Sequence, residues 1–341
     1  MVSAPQLPDL QVRPLQLADL SLLNAAELQE LRPLLQQQAF SAAPLKLWRL
    51  LRQNSRPQSL VLLAQRRGVL EGLLIAEPCN RRGSCWRLEE MVILATAASA
   101  LEVANVLIRA ALERATGAVS WVARCNLHDN HGLAALREQG FQTLQQQQIW
   151  LLANLDQLQA AESMPAPLEL QPLCQSNGAL LLQLELTATP SHLRQMHDLR
   201  SEDLLDDASP DTLLLVDTRR HQAVAGARLL RRRRPGPTEV ELSLHPAWGQ
   251  LMGPPLALLL RQACSSSLPI SVRCDVRNAE GMAWLAHQGA EALSEELVMA
   301  RSLWRRHELQ PAAGLASRTF KRLVGQLQQG QRPVPEAMPW R

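Results

Sequence analysis

Two glutamates of this chain lie where carboxylates could act together. Glu239 and Glu241 are separated by one residue in a segment, EVELSLH, that is predicted to be a strand. Alternate residues of a strand point to the same face, so both side chains could line one cleft. There a carboxylate can accept a proton as a general base. The alternative is that they face solvent or pair with nearby arginines.

Two cysteines are a second candidate, because each occupies the same position in a repeated pattern. Residues 124–141 read RCNLHDNHGLAALREQGF and residues 273–290 read RCDVRNAEGMAWLAHQGA, at a constant offset of 149. The pattern aligns Cys125 with Cys274. A thiolate can be a nucleophile, and a histidine such as His245 could approach. A buried cysteine also packs as a small hydrophobic side chain, which we favour here.

The repeat indicates that one domain has been duplicated. A weaker echo pairs LQVRPL at 10–15 with LELQPL at 168–173, and 341 residues is about two domains of ordinary size. A segment rich in Gln, Ala and Pro separates the copies, and a proline-containing tail follows the second. The predicted boundaries are 8–155 for the first domain, 156–166 for the linker, 167–306 for the second domain and 307–341 for the tail.

Hydrophobic periodicity and turn residues predict the same order of elements in both copies. In the first half, strands are expected at 10–15, 59–65, 69–77, 86–94, 118–125 and 141–152, and helices from about 18 to 38 and at 44–54, 100–115 and 130–139. In the second half, strands are expected at 168–173, 212–218, 223–230, 239–245, 270–276 and 291–303, and helices within 176–186, 191–205, 254–266 and 279–287.

Composition limits the classes of function. The chain has no Tyr and only 3% aromatic residues against 46% hydrophobic ones, so its cores must consist mainly of aliphatic side chains. A net charge of +3 is too small to indicate nucleic acid or an anionic membrane. The six cysteines show no zinc-site spacing, so no metal is expected. No signal peptide or bilayer-spanning stretch is evident, which predicts a cytoplasmic protein.

The run Arg231–Arg234, placed before Pro235-Gly236-Pro237, is the densest charge in the sequence. It predicts a solvated hairpin tip. An acidic partner or the 3′-phosphate of a coenzyme could bind there. RNA is disfavoured because the run has no interleaved aromatic side chains for stacking.

The order β-α-α-β-β-β-α-β-α-β in each half resembles the Gcn5-related N-acetyltransferase (GNAT) superfamily. Its most specific elements are Asn130…Gly140-Phe141, Asn278…Gly289 and the segment LHPAWGQLMGPPLALLL. The resemblance implies a mixed α/β fold of two consecutive GNAT-like domains. Each would have a mixed, mostly antiparallel sheet flanked by helices. Tandem GNAT proteins are known in which one half loses its coenzyme site.

In that superfamily a loop of the form Gln/Arg-x-x-Gly-x-Gly/Ala holds acyl-coenzyme A. Glycines and free amides at a helix N-terminus suit a pyrophosphate. The second half retains Gln250 and Gly253, but Pro254 and Pro255 have no N–H to donate. The first half has no glycine in this loop, and Ser99 is expected only to cap its helix. The resemblance implies that the following residues contact acetyl-coenzyme A: Leu244, Gln250, Leu251, Met252, Gly253 and Asn278.

The resemblance also implies transfer of an acyl group to an amine of a small molecule or protein. Members often use a glutamate of the fourth strand as base, which corresponds to Glu239 or Glu241 in the second half and to Glu89 or Glu90 in the first. The tyrosine that often serves as acid is replaced by Leu136 and Leu285, so the acid would be water, Cys274, a serine or absent. The alternatives are a catalytically inactive tandem protein that binds or regulates a partner, and a sensor that binds a coenzyme A ester without turnover.

Overall fold

The computed structural model describes residues 10–42, 57–97, 99–230, 236–265 and 268–302. The first-half elements are β1 (Gln11–Pro14), α1 (Arg32–Ala42), β2 (Leu60–Arg66), β3 (Val69–Pro78), β4 (Cys85–Ile93), α2 (Ala100–Arg114), β5 (Ser120–Asn126), α3 (Asn130–Glu138) and β6 (Gln142–Leu152). Short 3₁₀ helices at Leu17–Asn24 and Ala26–Leu28 precede α1.

The second half repeats this order. Its elements are β7 (Leu168–Pro172), α4 (Gly178–Ala188), α5 (Ser191–His197), α6 (Ser201–Asp207), β8 (Leu213–Asp217), β9 (Gln222–Leu229), β10 (Thr238–Leu244), α7 (Pro254–Ala263), β11 (Ile270–Asp275), α8 (Ala279–His287) and β12 (Glu291–Ser302). A 3₁₀ helix at Pro246–Leu251 precedes α7. The predicted helix at 44–54, the arginine run at 231–234 and the tail at 307–341 lie outside the described residues.

Two predicted helices differ from the structure for local reasons. The segment expected to be a helix from about residue 18 to 38 forms an α-helix only from Arg32 onward. Pro33 fits its first turn but would disrupt a helix interior. The helix expected within 191–205 is interrupted at Asp198, which has a left-handed φ of 46°. Asp203 then accepts a hydrogen bond from the Arg200 N–H and starts α6.

The strands of both halves form one mixed sheet in the described part of the chain. Its order is β1-β2-β3-β4-β5-β12-β6-β11-β10-β9-β8-β7. The two halves therefore exchange their last strands. Strand β12 of the second half lies between β5 and β6 of the first half, and β6 lies between β12 and β11 of the second half. The mixed, mostly antiparallel sheet flanked by helices is confirmed, and the exchanged strands join the halves at its centre.

Apolar side chains on both faces of the sheet fix the helices that surround this centre. Helices α2 and α3 cover one face of the first half through an aliphatic cluster that includes Leu107 and Leu136. In the second half, α7 and α8 contribute Leu259 and Leu285 to the equivalent cluster. On the opposite face of the sheet, α4 and α6 pack on β8, and α5 packs on β4, β5 and β12. That face carries the polar cavity described next.

Contacts between the two halves position the segment that joins α5 to α6. The Asn80 side-chain amide donates to the carbonyls of His197 and Asp198, at 3.3 and 3.2 Å. The Ser84 hydroxyl donates to the Asp198 carboxylate at 2.8 Å. These bonds hold the β3–β4 turn of the first half against the second half, so residues from both halves surround one space.

Candidate functional site

A cleft opens in the second half where two parallel strands separate. Strands β10 and β11 are paired only over 238–240 and 270–272, although both continue beyond this register. The Thr238 N–H donates to the Pro269 carbonyl on the β11 side at 2.9 Å. Because every second residue of a strand repeats that direction, Leu242 and Leu244 direct their N–H and C=O groups into the gap. An extended ligand could pair with this exposed edge.

The cleft joins a cavity of about 560 Å³ at the centre of the sheet. Its lining includes side chains of β5, β6, β9, β10 and β11, residues of helices α4, α5 and α6 on one face of the sheet, and residues of α7 and α8 on the other face. Among its lining residues are Leu244, Met252 and Asn278 from the predicted coenzyme site, together with Glu241 and Cys274. The structure thus brings these five residues to one space.

Glu241 is directed into the cavity and is bound to the guanidinium of Arg228, which is itself buried. Burial raises the pKa of Glu241, but the attraction of Arg228, Arg124 and further arginines outweighs it and leaves the pKa below its usual value. A carboxylate that is so strongly stabilised is a weak proton acceptor. Its first role is to neutralise buried guanidinium groups.

Glu239 is tied to an arginine in a similar way. Its carboxylate accepts a hydrogen bond from Arg273 at 2.6 Å, and Arg273 also donates to Glu296 at 2.7 Å. Burial raises the pKa of Glu239, and the bond from Arg273 more than offsets this, so the pKa is lowered. Both predicted catalytic glutamates therefore pair with arginines, which was the alternative considered from the sequence.

Glu185 of α4, which the sequence patterns do not single out, has properties that suit a base. Its carboxylate accepts a hydrogen bond from the Ser243 hydroxyl at 2.8 Å and lies in the cavity. The Arg228 Nε is 4.0 Å away. Burial raises the pKa of Glu185, and the negative charge of Glu241 adds to the effect although Arg228 opposes it. The signal is tertiary, since residue 185 reaches β10 only through packing of α4 on the sheet.

His197, at the end of α5, is a second group that sequence reasoning missed. It lines the cavity, and burial lowers its pKa to about 4, with neighbouring arginines adding to the effect against the attraction of Glu241. The imidazole is therefore neutral at physiological pH. It can accept or donate a hydrogen bond to a bound ligand without adding charge to the site.

Cys274 lies at the end of β11 with its thiol packed against the start of α8. Burial raises its pKa to about 11. A Cβ atom added to Gly281 would lie 3.1 Å from its Sγ, which shows how closely the thiol packs on the helix. The equivalent thiol of Cys125 has a pKa raised to about 12, chiefly by burial and then by Asp129. Both are protonated thiols at neutral pH, in keeping with a packing role.

The predicted coenzyme loop forms the connection between β10 and α7. Gln250 is exposed at the end of the 3₁₀ helix, and Leu251 is buried in the core. Gly253 is the N-cap of α7, and a Cβ atom added there would meet no atom within 4 Å. The open space suits a ligand. Because Pro254 and Pro255 are the first two residues of α7, that helix start has two fewer N–H donors than usual.

Asn278 caps the helix that follows β11. Its side-chain oxygen accepts a hydrogen bond from the Gly281 N–H at 2.9 Å and caps α8. In the first half the equivalent cap is Asp129, which accepts from Gly132 at 2.9 Å. The repeat offset thus aligns Asn278 with Asp129, and Asn130 is the first residue of α3.

The first half has a corresponding cleft of different lining. Strands β4 and β5 are paired in parallel only over 85–88 and 120–123. Beyond this paired stretch lies a cavity of about 570 Å³, which is lined mainly by small and aliphatic residues. As predicted, Ser99 caps α2 by accepting a hydrogen bond from the Glu102 N–H. This cleft has neither the glycine of the loop nor a group of buried arginines in its lining.

Two searches of the described residues gave negative results. Within those ranges, His, Cys, Asp and Glu side chains form no group that could hold a metal ion. No helix in the same ranges has the length and apolar character required to cross a membrane.

Comparison with solved structures identifies the fold. A GCN5-related N-acetyltransferase from Sphaerobacter thermophilus superposes with a TM-score of 0.53 at 15% identity, over 87% of this chain and 97% of that one. A tandem GNAT protein from the clavulanic acid biosynthesis pathway gives 0.53 at 14% identity, over 86% and 98%. No protein-family model and no curated protein sequence matches the chain. The chain therefore has the tandem GNAT fold, as the resemblance of its sequence implied.

Proposed function

We propose that this protein transfers an acyl group from an acyl-coenzyme A, with acetyl-coenzyme A as the simplest donor, to an amine. The reaction takes place in the cleft of the second half. The observation that carries the proposal is the separation of β10 and β11, because it opens an unpaired strand edge onto a cavity with a buried carboxylate. The tandem GNAT fold supports it.

The donor would lie along the exposed edge of β10. Its pantetheine arm can pair with the backbone groups of Leu242 and Leu244, which point into the gap. Its pyrophosphate would approach Gly253 and Gln250 at the start of α7. Loss of the two proline amides weakens this contact, so we expect a lower affinity than a loop with the full set of donors would give.

We assign the general base to Glu185 in preference to Glu239 and Glu241. The pKa of Glu185 is raised, whereas the other two carboxylates are stabilised as anions by arginines. A base with a pKa nearer to neutrality removes the ammonium proton more effectively. Attack of the amine on the thioester carbonyl forms a tetrahedral intermediate, and its collapse expels the coenzyme thiolate, which takes the remaining N–H proton through water.

The first test is calorimetric titration of the intact chain with acetyl-coenzyme A, with Gly253→Asp as the matched variant. We expect micromolar binding by the wild-type chain and none by the variant, because the new carboxylate would face the pyrophosphate. The open space at Gly253 should let the variant fold normally, which circular dichroism would verify. Absence of binding by the wild-type chain up to millimolar concentrations would reject the proposal.

One observation favours a second candidate function. The prolines at the start of α7 remove two donors from the place where a pyrophosphate would bind. A protein of this fold could then bind or regulate a partner without transferring an acyl group. Partner binding in the absence of coenzyme affinity would support this alternative, and time-dependent acylation of an amine would exclude it.

A further inference from the structure

Of the arginines that line the central cavity, four lie on strands of the sheet, and three of these four are held by close carboxylates. Arg273 binds Glu239 and Glu296 at 2.6 and 2.7 Å. The guanidinium of Arg228 binds Glu241, and that of Arg87 lies 2.6 Å from Glu89. The charges of these three guanidinium groups are therefore neutralised within the protein.

Arg124 lies farther from its nearest carboxylates than these three arginines do. Its nearest carboxylate oxygens in the described part of the chain are those of Glu241 at 3.7 Å and Glu296 at 3.8 Å. Those distances are too long for hydrogen bonds, and both carboxylates already accept shorter bonds from other arginines. The Arg124 side chain is 26% exposed and lines the cavity. A guanidinium has five N–H donors, so an anion in the cavity could accept hydrogen bonds from Arg124.

The surroundings of Arg124 disfavour its positive charge. Burial and the positive charges of Arg273 and Arg87 lower the pKa of Arg124. A bound anion would supply both the missing acceptors and the missing negative charge. Carboxylates match the guanidinium through two parallel hydrogen bonds, and such charge-assisted pairs are among the strong polar contacts of proteins.

We propose that the acceptor amine is an amino acid, or a similarly compact aminocarboxylate, whose carboxylate binds Arg124. This inference rests on the proposed acyltransferase function. The Arg124 Nη2 is 3.7 Å from Glu241 Oε1. Glu241 is bound to Arg228, whose Nε is 4.0 Å from the carboxylate of Glu185, the assigned base, so the anion-binding group and the base flank the same ion pair. The amino group and the carboxylate of the acceptor are therefore separated by only a few bonds.

The proposal also gives the first half a role in the reaction. Arg124 belongs to β5 of the first half, and it reaches the cavity beside the exchanged strand β12, where it pairs with Val298. A cleft in the second half would thus receive its acceptor-recognition group from the first. Separate halves would not contain this combination of residues.

The experiment compares free L-amino acids with the matching amino-acid amides as ligands and as acceptors. The amides retain the amine but lose the anion. Their amine is less basic and more fully unprotonated at neutral pH, so the comparison works against the proposal. Binding is measured by calorimetry with coenzyme A present, and acetylation by release of free thiol from acetyl-coenzyme A.

We expect the acids to bind and react roughly 10- to 100-fold better than the amides, as one charge-assisted pair provides. Arg124→Gln should remove this preference, and Arg124→Lys should restore part of it because the charge returns without the planar fork. Arg273→Gln is the matched control, since Arg273 occupies the equivalent position but is already paired. It should lower the melting temperature yet keep the ratio of acids to amides.

Equal binding of acids and amides by the wild-type chain would overturn the proposal, as would a preference that survives in folded Arg124→Gln. If that variant fails to fold, an unchanged acid-to-amide ratio in Arg124→Lys would count against it. Acetylation of acids and amides at equal rates would reject this inference and keep the acyltransferase function. Binding of acids through Arg124 without any thiol release would instead reject the acyltransferase function.

Discussion

Substitution of Pro255 by alanine should increase the affinity for acetyl-coenzyme A. Pro255 is the second residue of α7 and is half-buried beside the open space at Gly253. Amides at this position of a helix have no partner within the helix. Alanine would therefore add one N–H donor at the place proposed for the pyrophosphate without disturbing the remaining backbone bonds of α7.

The magnitude follows from the type of bond. A hydrogen bond from an amide to a charged group contributes about 1.5–3 kcal/mol, which corresponds to roughly 10- to 150-fold in the dissociation constant. The cost to the fold is smaller. Replacing a proline in a compatible position gives the unfolded chain more freedom and lowers stability by about 0.4–1 kcal/mol. Affinity and stability should therefore change in opposite directions.

The assay is calorimetric titration of acetyl-coenzyme A into wild-type protein and two proline variants. Pro33→Ala is the matched control, because Pro33 is the second residue of α1 in the first half, far along the chain from the proposed loop. It should reproduce the loss of stability and leave coenzyme affinity unchanged.

Two results would refute the reasoning. An unchanged dissociation constant in folded Pro255→Ala would mean that this amide does not face the coenzyme. An equal gain in Pro33→Ala would mean that the effect arises from general changes in the chain. Either result would remove the start of α7 as the reason for weak pyrophosphate binding.

Three further outcomes are expected. Glu185→Gln should lower kcat roughly 100- to 10,000-fold and remove the acidic limb of the pH–rate profile. In the wild-type enzyme this limb should lie above the ordinary glutamate pKa, because burial raises the pKa of Glu185. An unchanged profile would exclude Glu185 as the base. Arg228→Met should lower the free energy of unfolding by about 3–5 kcal/mol, because Glu241 loses its closest partner. Arg81→Ala breaks a more exposed pair with an aspartate and should cost at most about 1 kcal/mol. Equal losses in urea unfolding would contradict the importance of the buried pair of Arg228 and Glu241. The His197 pKa is about 4 in the folded protein against 6.5 for a free side chain, so the unfolded chain binds more protons in that window and stability should fall as pH drops from 6.5 to 4. His197→Gln should reduce this loss by about 3 kcal/mol, and an unaltered pH dependence of the melting temperature would refute it.

Local patterns in the sequence were sufficient for most of the elements. The strands expected at 59–65 and 69–77 are β2 and β3, which form a hairpin, and Gly68 has a φ of 79° in its turn. Alternating apolar residues marked the strands, and helical spacing marked α2 and α3. Helix ends were less predictable where a proline or a left-handed residue decided them, as at Pro33 and Asp198. Such ends depend on single residues, which a periodicity averaged over many positions does not detect.

The candidate site divides in the same way. Glu241, Cys274 and Asn278 were found from the repeat and from the resemblance, because their positions relative to strand and helix ends can be read locally. Glu185 and His197 were not found. They lie on helices α4 and α5, and they meet β10 only after those helices pack on the sheet. The spacing of residues along the sequence does not show that these side chains come together.

The sequence by itself determined that one unit occurs twice, which strands and helices each copy contains, and that two prolines begin α7. These are properties of neighbouring residues and of their repetition. Only the tertiary structure decided that β6 and β12 exchange places. It also decided that, among the described residues, the carboxylates nearest to Arg124 lie at 3.7 and 3.8 Å, whereas Arg273, its counterpart in the repeat, has two within hydrogen-bond distance. The reason is physical: pairing between distant strands and the competition of several arginines for the same carboxylates depend on distances that arise only when both halves fold together.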